Sequence, residues 1–99
     1  MKVHWTKTAE AHLDAIHAHI AQNSVEYAKR MVDRLTSRSQ QIGNFPLSGR
    51  RVPECKVDQI REVFEGHYRI IYYIKPDQID VLAVIHGAQN ILRRGQDSR

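Results

Sequence analysis

Hydrophobic positions along this chain change period twice. Over residues 2–6 they alternate, with Val3 and Trp5 opposed to Lys2 and His4, the pattern of a short strand. From Thr6 the spacing lengthens. Ala9, Leu13, Ile16 and Ile20 make one helical stripe; Thr6 is placed to cap it, and Glu10 sits near the first turn, where negative charge suits the helix dipole. Gln22-Asn23-Ser24 breaks the pattern. A second helix follows, capped by Ser24, striped by Ala28, Met31, Val32, Leu35 and Ile42, with Gly43 placed to end it. Two helices joined by so short a break form an antiparallel hairpin.

Residues 45–53 read as a loop, because two prolines and a glycine oppose regular structure across them. Three strands follow, over 60–65, 68–75 and 79–86, with turns at Gly66 and at Pro76-Asp77. Residues 88–94 are expected to form a last helical turn or a docked tail, and residues 95–99 to fray. The order is β-α-α-β-β-β in a single domain over 1–99. The expected class is α+β, a helical hairpin packed on one face of a mainly antiparallel sheet.

Strand alternation then sorts the side chains. A register pairing Ile74 with Ile79 puts Tyr68, Ile70, Ile74, Val81, Ala83 and Ile85 under the helices. A three-residue turn around Gly66 adds Arg61 and Val63 to the opposite face, which then holds Arg61, Val63, Arg69, Ile71, Tyr73, Leu82, Val84 and His86. The same register places Phe64 in the core and, less sensibly, Glu62 beside it. A face of mixed apolar and cationic character suits a protein-binding groove or a nucleic-acid surface.

Charge and chemistry refine this picture. Formal net charge is +4, which favours anionic partners without choosing between nucleic acid and an acidic protein. Arg61 and Arg69 can bind phosphate or carboxylate bidentately, or pair structurally with Glu62, Glu65 or Asp80. His86 ends a strand just before Gly87, where it serves either as a general acid–base group or as a hydrogen-bonded strand end. His12, His17 and His19 lack the three- or four-residue spacing of a helical metal site, so no metal is expected. No glycine-rich phosphate loop and no serine or cysteine nucleophile motif is present, and no cofactor is expected. Arg50-Arg51 and Arg93-Arg94 are basic pairs, solvated or set against an acidic partner. Cys55 is the single cysteine, so no internal disulfide can form. With no bilayer-length apolar run and no signal-type N-terminus, a bacterial cytoplasmic protein without membrane contact is the expectation.

Several stretches together resemble the ParE/RelE superfamily of toxins from type II toxin–antitoxin systems, across nearly the whole chain. They are Trp5-Thr6 entering the first helix, Phe45-Pro-Leu-Ser-Gly-Arg50 running on to Val52-Pro-Glu54, Arg61-Glu-Val-Phe64, Tyr68-Arg-Ile-Ile-Tyr72 and Val81-Leu-Ala-Val-Ile-His-Gly87. By this resemblance Arg69 matches an arginine that RelE-like nucleases place at the scissile phosphate, and Arg61 a basic position on the preceding strand. The tyrosine expected near the C-terminus of such nucleases is missing, and between Pro53 and Ile60 only Lys56 offers a further base. The Pro-Leu-Ser-Gly-Arg loop and the His-Gly ending are closer to ParE.

The resemblance therefore implies a plasmid-stabilisation-like toxin that inhibits DNA gyrase without catalysis. A cognate antitoxin would neutralise it in a hetero-oligomer. Antitoxin or target would meet Arg50, Arg61, Val63, Arg69, Ile71, Tyr73, Leu82, Val84 and His86. The alternative is a RelE-like, ribosome-dependent mRNA endoribonuclease working through Arg61, Arg69 and His86. A third possibility is a degenerate toxin that only binds its antitoxin.

Overall fold

A computed structural model describes residues 1–87 of the chain. Strand β1 (Lys2–Trp5) leads into helix α1 (Lys7–Ala21) and helix α2 (Val25–Asn44), then a 3₁₀ turn (Pro46–Ser48) and strands β2 (Arg50–Arg51), β3 (Ile60–Glu65), β4 (Tyr68–Ile74) and β5 (Gln78–His86). The sheet order is β1-β5-β4-β3-β2. β1 runs parallel to β5 and the other neighbours are antiparallel, so the α+β class and the mainly antiparallel sheet are as expected. The expectations for residues 88–99 lie outside the described residues. No helix among the described residues is long and apolar enough to cross a membrane.

Local chemistry sets the helix starts. The Thr6 hydroxyl accepts from the Ala9 amide at 3.1 Å and the Ser24 hydroxyl from the Tyr27 amide at 3.0 Å, each satisfying a donor the helix leaves open. Thr6 also donates to the Val81 carbonyl at 2.8 Å, which fastens the start of α1 to β5. α2 runs one residue past Gly43. The glycine serves close approach instead: a Cβ there would lie 2.6 Å from the Met1 carbonyl oxygen, and the Met1 amine donates to the Gly43 carbonyl.

The helix hairpin packs on one sheet face through Ile16, Met31, Leu35 and Ile42 against Val63, Ile70, Tyr72, Ile79, Val81 and Val84. Fully burying one such side chain is worth about 1.5–3 kcal/mol. The opposite face is not bare. The chain after β2 folds across it, and Val52, Ile71 and Ile85, with Cys55, Ile60, Leu82 and Ala83, make a second small core. Residues 45–53, expected to be irregular, thus hold both a 3₁₀ turn and a two-residue edge strand. Pro46 opens the turn, where proline's fixed φ is accommodated.

The β4–β5 connection is closed by an ion pair. Lys75 Nζ lies 2.9 Å from Asp80 Oδ2, and Gln78 donates to Asp80 Oδ1 at 2.6 Å. Its hydrogen bond from Lys75 holds the Asp80 carboxyl below the usual range, and the same bond raises Lys75. A carboxylate with a depressed folded pKa stabilises above its unfolded pKa and loses that contribution as pH falls through the folded value. Asp80→Asn is therefore expected to melt earlier in urea than wild type at neutral pH. That gap should close below about pH 4, and curves that stay parallel down to acid would refute the assignment.

Candidate functional site

Two one-residue irregularities decide which side chains share a surface. Glu65 pairs directly with Tyr68, so the β3–β4 turn is the two-residue Gly66-His67, with Gly66 at φ 59° as a type II′ turn requires. That length places Arg61 opposite Tyr72 and Val63 opposite Ile70, on the helix side. Further along, Ile71 pairs with Ala83 but Tyr72 with Val81, so Leu82 is an extra residue in a bulge. The bulge reverses the parity of everything after it. Val84 and His86 turn to the helix side, while Ala83 and Ile85 turn away from it.

The single surface expected from alternation is thus divided. Arg69, Ile71, Tyr73 and Leu82 lie on the face away from the helices, and Arg61, Val63, Val84 and His86 on the helix side. Arg50, opposite Glu62, joins the first group. Phe64 is not in the core; it is 46 % exposed on that outer face. Glu62 moves there too, which removes the conflict of a carboxylate under the helices.

On the outer face the cations are bound internally. Glu62, whose side chain is fully buried, accepts from Arg69 Nε at 2.7 Å through Oε1 and from Arg50 Nε at 2.6 Å through Oε2. Arg69 Nη2 also reaches both oxygens of Glu54 at 3.1 Å. Arg69 is only 4 % exposed. Arg50 caps the network, its guanidinium 5.4 Å from the Phe64 ring centroid. Glu54 was not singled out by sequence reasoning; the cue available was Glu62, an acid inside an apolar strand that needed cations nearby.

On the helix side Arg61 Nη1 donates to the Gly49 carbonyl at 3.1 Å, while its Nε is buried without a hydrogen-bond partner. No carboxylate among the described residues pairs with it. Beside it the fully buried Tyr72 donates its hydroxyl to the Pro46 carbonyl at 2.6 Å and accepts from the Gly49 amide at 3.0 Å. Burial raises the phenol pKa, so it remains a protonated donor. Gly49 has to be glycine, since a Cβ would strike the Tyr72 hydroxyl and stand 2.6 Å from the Glu62 carbonyl oxygen.

His86 lines a cleft of about 360 Å³ between α1 and the end of β5, with His12, Ala15, Ile16, His19, Tyr68, Val84 and Ile85. Its ring stacks on His67, 6.1 Å between centroids, and meets Tyr68 edge-on at 6.0 Å. His12 Nδ1 accepts from the Val84 amide at 3.2 Å, which fixes that nitrogen as the unprotonated one. β1 pairs only with the first part of β5, up to Val81; past it the Thr6 and His12 side chains meet that edge. Among the described residues no three His, Cys, Asp or Glu side chains gather as metal ligands.

Two helices on a five-stranded mixed sheet are also the architecture of a chain from the chromosomal ParDE toxin–antitoxin system of P. aeruginosa. It matches with a TM-score of 0.73 at 22% identity, over 87% of this chain and 95% of that one. A chain of the RelBE2 toxin–antitoxin complex of Mycobacterium tuberculosis matches with a TM-score of 0.55 at 23% identity, over 86% and 95%. The fold is that of the ParE/RelE-like toxins. The sequence narrows this further. The family model described as the ParE toxin of the type II toxin–antitoxin system parDE matches residues 3–91. Y4kP of Sinorhizobium fredii, whose name marks it as a suspected toxin, is 30% identical over 90 residues, covering 89% of this chain and 90% of its own. The chain belongs to the ParE toxin family of type II toxin–antitoxin systems.

Proposed function

We propose that this toxin acts by binding, inhibiting DNA gyrase in the bacterial cytoplasm, and that a cognate antitoxin neutralises it. The observation that carries this reading is the state of Arg69. A nuclease needs its phosphate-binding arginine facing substrate, so that positive charge meets charge developing in the transition state. Here Arg69 is 4 % exposed and bound by Glu62 and Glu54. Arg61 and His86, the other two groups of the nuclease alternative, stand on the opposite side of the sheet from it. Three groups so divided do not converge on one phosphate.

The antitoxin is read as a segment that seats apolar side chains in the cleft between α1 and β5. Val84 and His86 line that cleft, and beside it runs the later part of β5, which β1 does not reach and which Thr6 and His12 meet through side chains alone. Such a segment would order as it binds, and the resulting hetero-oligomer would be the resting form.

Purified toxin in micromolar excess is expected to block gyrase supercoiling and to change gyrase-dependent DNA cleavage, with relief on adding the antitoxin. Gyrase left untouched, together with codon-spaced cuts in translated mRNA by primer extension, would replace this reading with the ribosome-dependent nuclease.

A further inference from the structure

Side-chain hydrogen bonds fasten helix α1 to β5 at two points, and only the second can titrate. At the first, the Thr6 hydroxyl donates to the Val81 carbonyl at 2.8 Å. At the second, the Val84 amide donates to His12 Nδ1 at 3.2 Å. Nδ1 accepts only while it carries no proton; a protonated ring would set one N–H against another. Val84 is buried, so its amide finds little water in exchange for the lost acceptor.

The surroundings single out this histidine. The titratable groups lining the α1–β5 cleft are His12 and His19 from α1, Tyr68 from β4 and His86 from β5, with His67 of the β3–β4 turn stacked on His86. His19, His67 and His86 are exposed, where an added proton is solvated; His12 is half-buried. The acids of these elements lie elsewhere. Glu10 and Asp14 of α1 line a separate cleft with Trp5, and Asp80 of β5 is held by Lys75 at the other end of its strand. Arg69, the cation of β4, is bound by Glu62 and Glu54 on the far face of the sheet. Acidification therefore makes the mouth of the cleft more cationic through the exposed rings and breaks the joint at His12. The Thr6 contact and the buried Ala9 and Ile16 keep α1 on the sheet, so the release is local. We infer that His12 is a pH-sensitive latch: neutral, it holds α1 to the end of β5 in the form that seats the antitoxin, and protonated, it lets go and the hold on the antitoxin weakens. This inference rests on the reading of the cleft as the antitoxin's seat and adds to that seat a control by pH.

An equilibrium that needs one histidine neutral shifts by about tenfold per pH unit below that histidine's pKa, ordinarily about 6.5. The test compares wild type with His12→Asn, whose side-chain oxygen can accept from the Val84 amide but does not titrate, each protein measured against itself at about pH 7.5 and about pH 5. Protection of the Val84 amide against hydrogen exchange, corrected for the intrinsic pH dependence, is expected to fall at least about tenfold in wild type and less than about threefold in His12→Asn. Affinity for the cognate antitoxin should follow the same two patterns, while His19→Gln keeps the wild-type response. Protection of Val84 that does not change with pH overturns the latch, and so does an equal fall in His12→Asn. Antitoxin affinity that stays level or rises on acidification overturns the control of binding. The exchange measurement needs the toxin alone. An antitoxin that binds without protecting the amides of Ile16 and Val84 therefore defeats the seat, and with it the control of binding, whereas the latch stands or falls on the toxin's own exchange.

Discussion

Replacing Glu62 by alanine is expected to lower the unfolding free energy by about 3–5 kcal/mol, the usual cost of removing one partner from a buried ion pair. The Glu62 carboxylate has no solvent exposure and accepts from both Arg69 and Arg50. Without it the Arg69 guanidinium, only 4 % exposed, loses the carboxylate that accepts from its Nε and keeps that of Glu54. In a domain of this size such a loss is a large part of a total stability of about 5–15 kcal/mol, and at about 4–8 °C per kcal/mol it lowers the melting temperature by roughly 12 °C or more. Removing both charges together, as Glu62→Leu with Arg69→Met, should cost much less than the sum of the single changes. Thermal and urea melts of the two single variants and the double check this. Single variants within about 1 kcal/mol of wild type would mean that the network is solvated and weak. There is a functional corollary: lost activity in an Arg69→Ala toxin has to be corrected for the fraction still folded before it is read as chemistry.

The second large effect is expected at Tyr72. Truncation to alanine removes a fully buried aromatic ring from the main core and should cost about 3–5 kcal/mol. Tyr72→Phe keeps the ring and removes only the hydroxyl, which leaves the Pro46 carbonyl and the Gly49 amide without their partner. That isolated step should cost about 1–3 kcal/mol. The two variants differ in where they act. Tyr72→Ala destabilises the whole domain, whereas Tyr72→Phe should speed amide exchange at Gly49 far more than in the centre of β4. Equal protection of Gly49 in wild type and Tyr72→Phe would show that the turn is held by other means. Because burial raises the phenol pKa, this contribution is complete below the tyrosine's ordinary value of about 10 and is lost as pH rises through the raised one.

Helices and sheet faces were legible to different depths. The stripe Ala9, Leu13, Ile16, Ile20 and the caps Thr6 and Ser24 could be read directly, because helix periodicity and capping depend on residues within a few positions of each other. The three long strands were equally plain, and Ile74 does pair with Ile79. Strand facing was not, since it turns on single residues. One residue fewer in the Gly66 turn and one more at Leu82 moved Arg61, Val63, Val84 and His86 to the helix side. Glu62 signalled the first of these, being a carboxylate in an expected core. Nothing in the alternation of Val81, Leu82, Ala83 and Val84 signals the second, because all four are apolar and either facing buries them. β2 also escaped notice: two arginines carry no strand pattern, and their pairing with Arg61 and Glu62 is a long-range event.

The sequence by itself determined the order of the two helices and of β1, β3, β4 and β5, the helix starts, the α+β class and the resemblance to toxins, since each rests on local pattern or on residue order. Only the tertiary structure decided what the arginines do. Whether Arg69 meets a phosphate or a carboxylate depends on where Glu54 and Glu62 come to lie, and whether residues 45–49 are a slack loop or a braced projection depends on Tyr72, more than twenty residues away along the chain. Charges and hydroxyls act over a few ångströms, and the chain brings such distant groups within that range only when it folds.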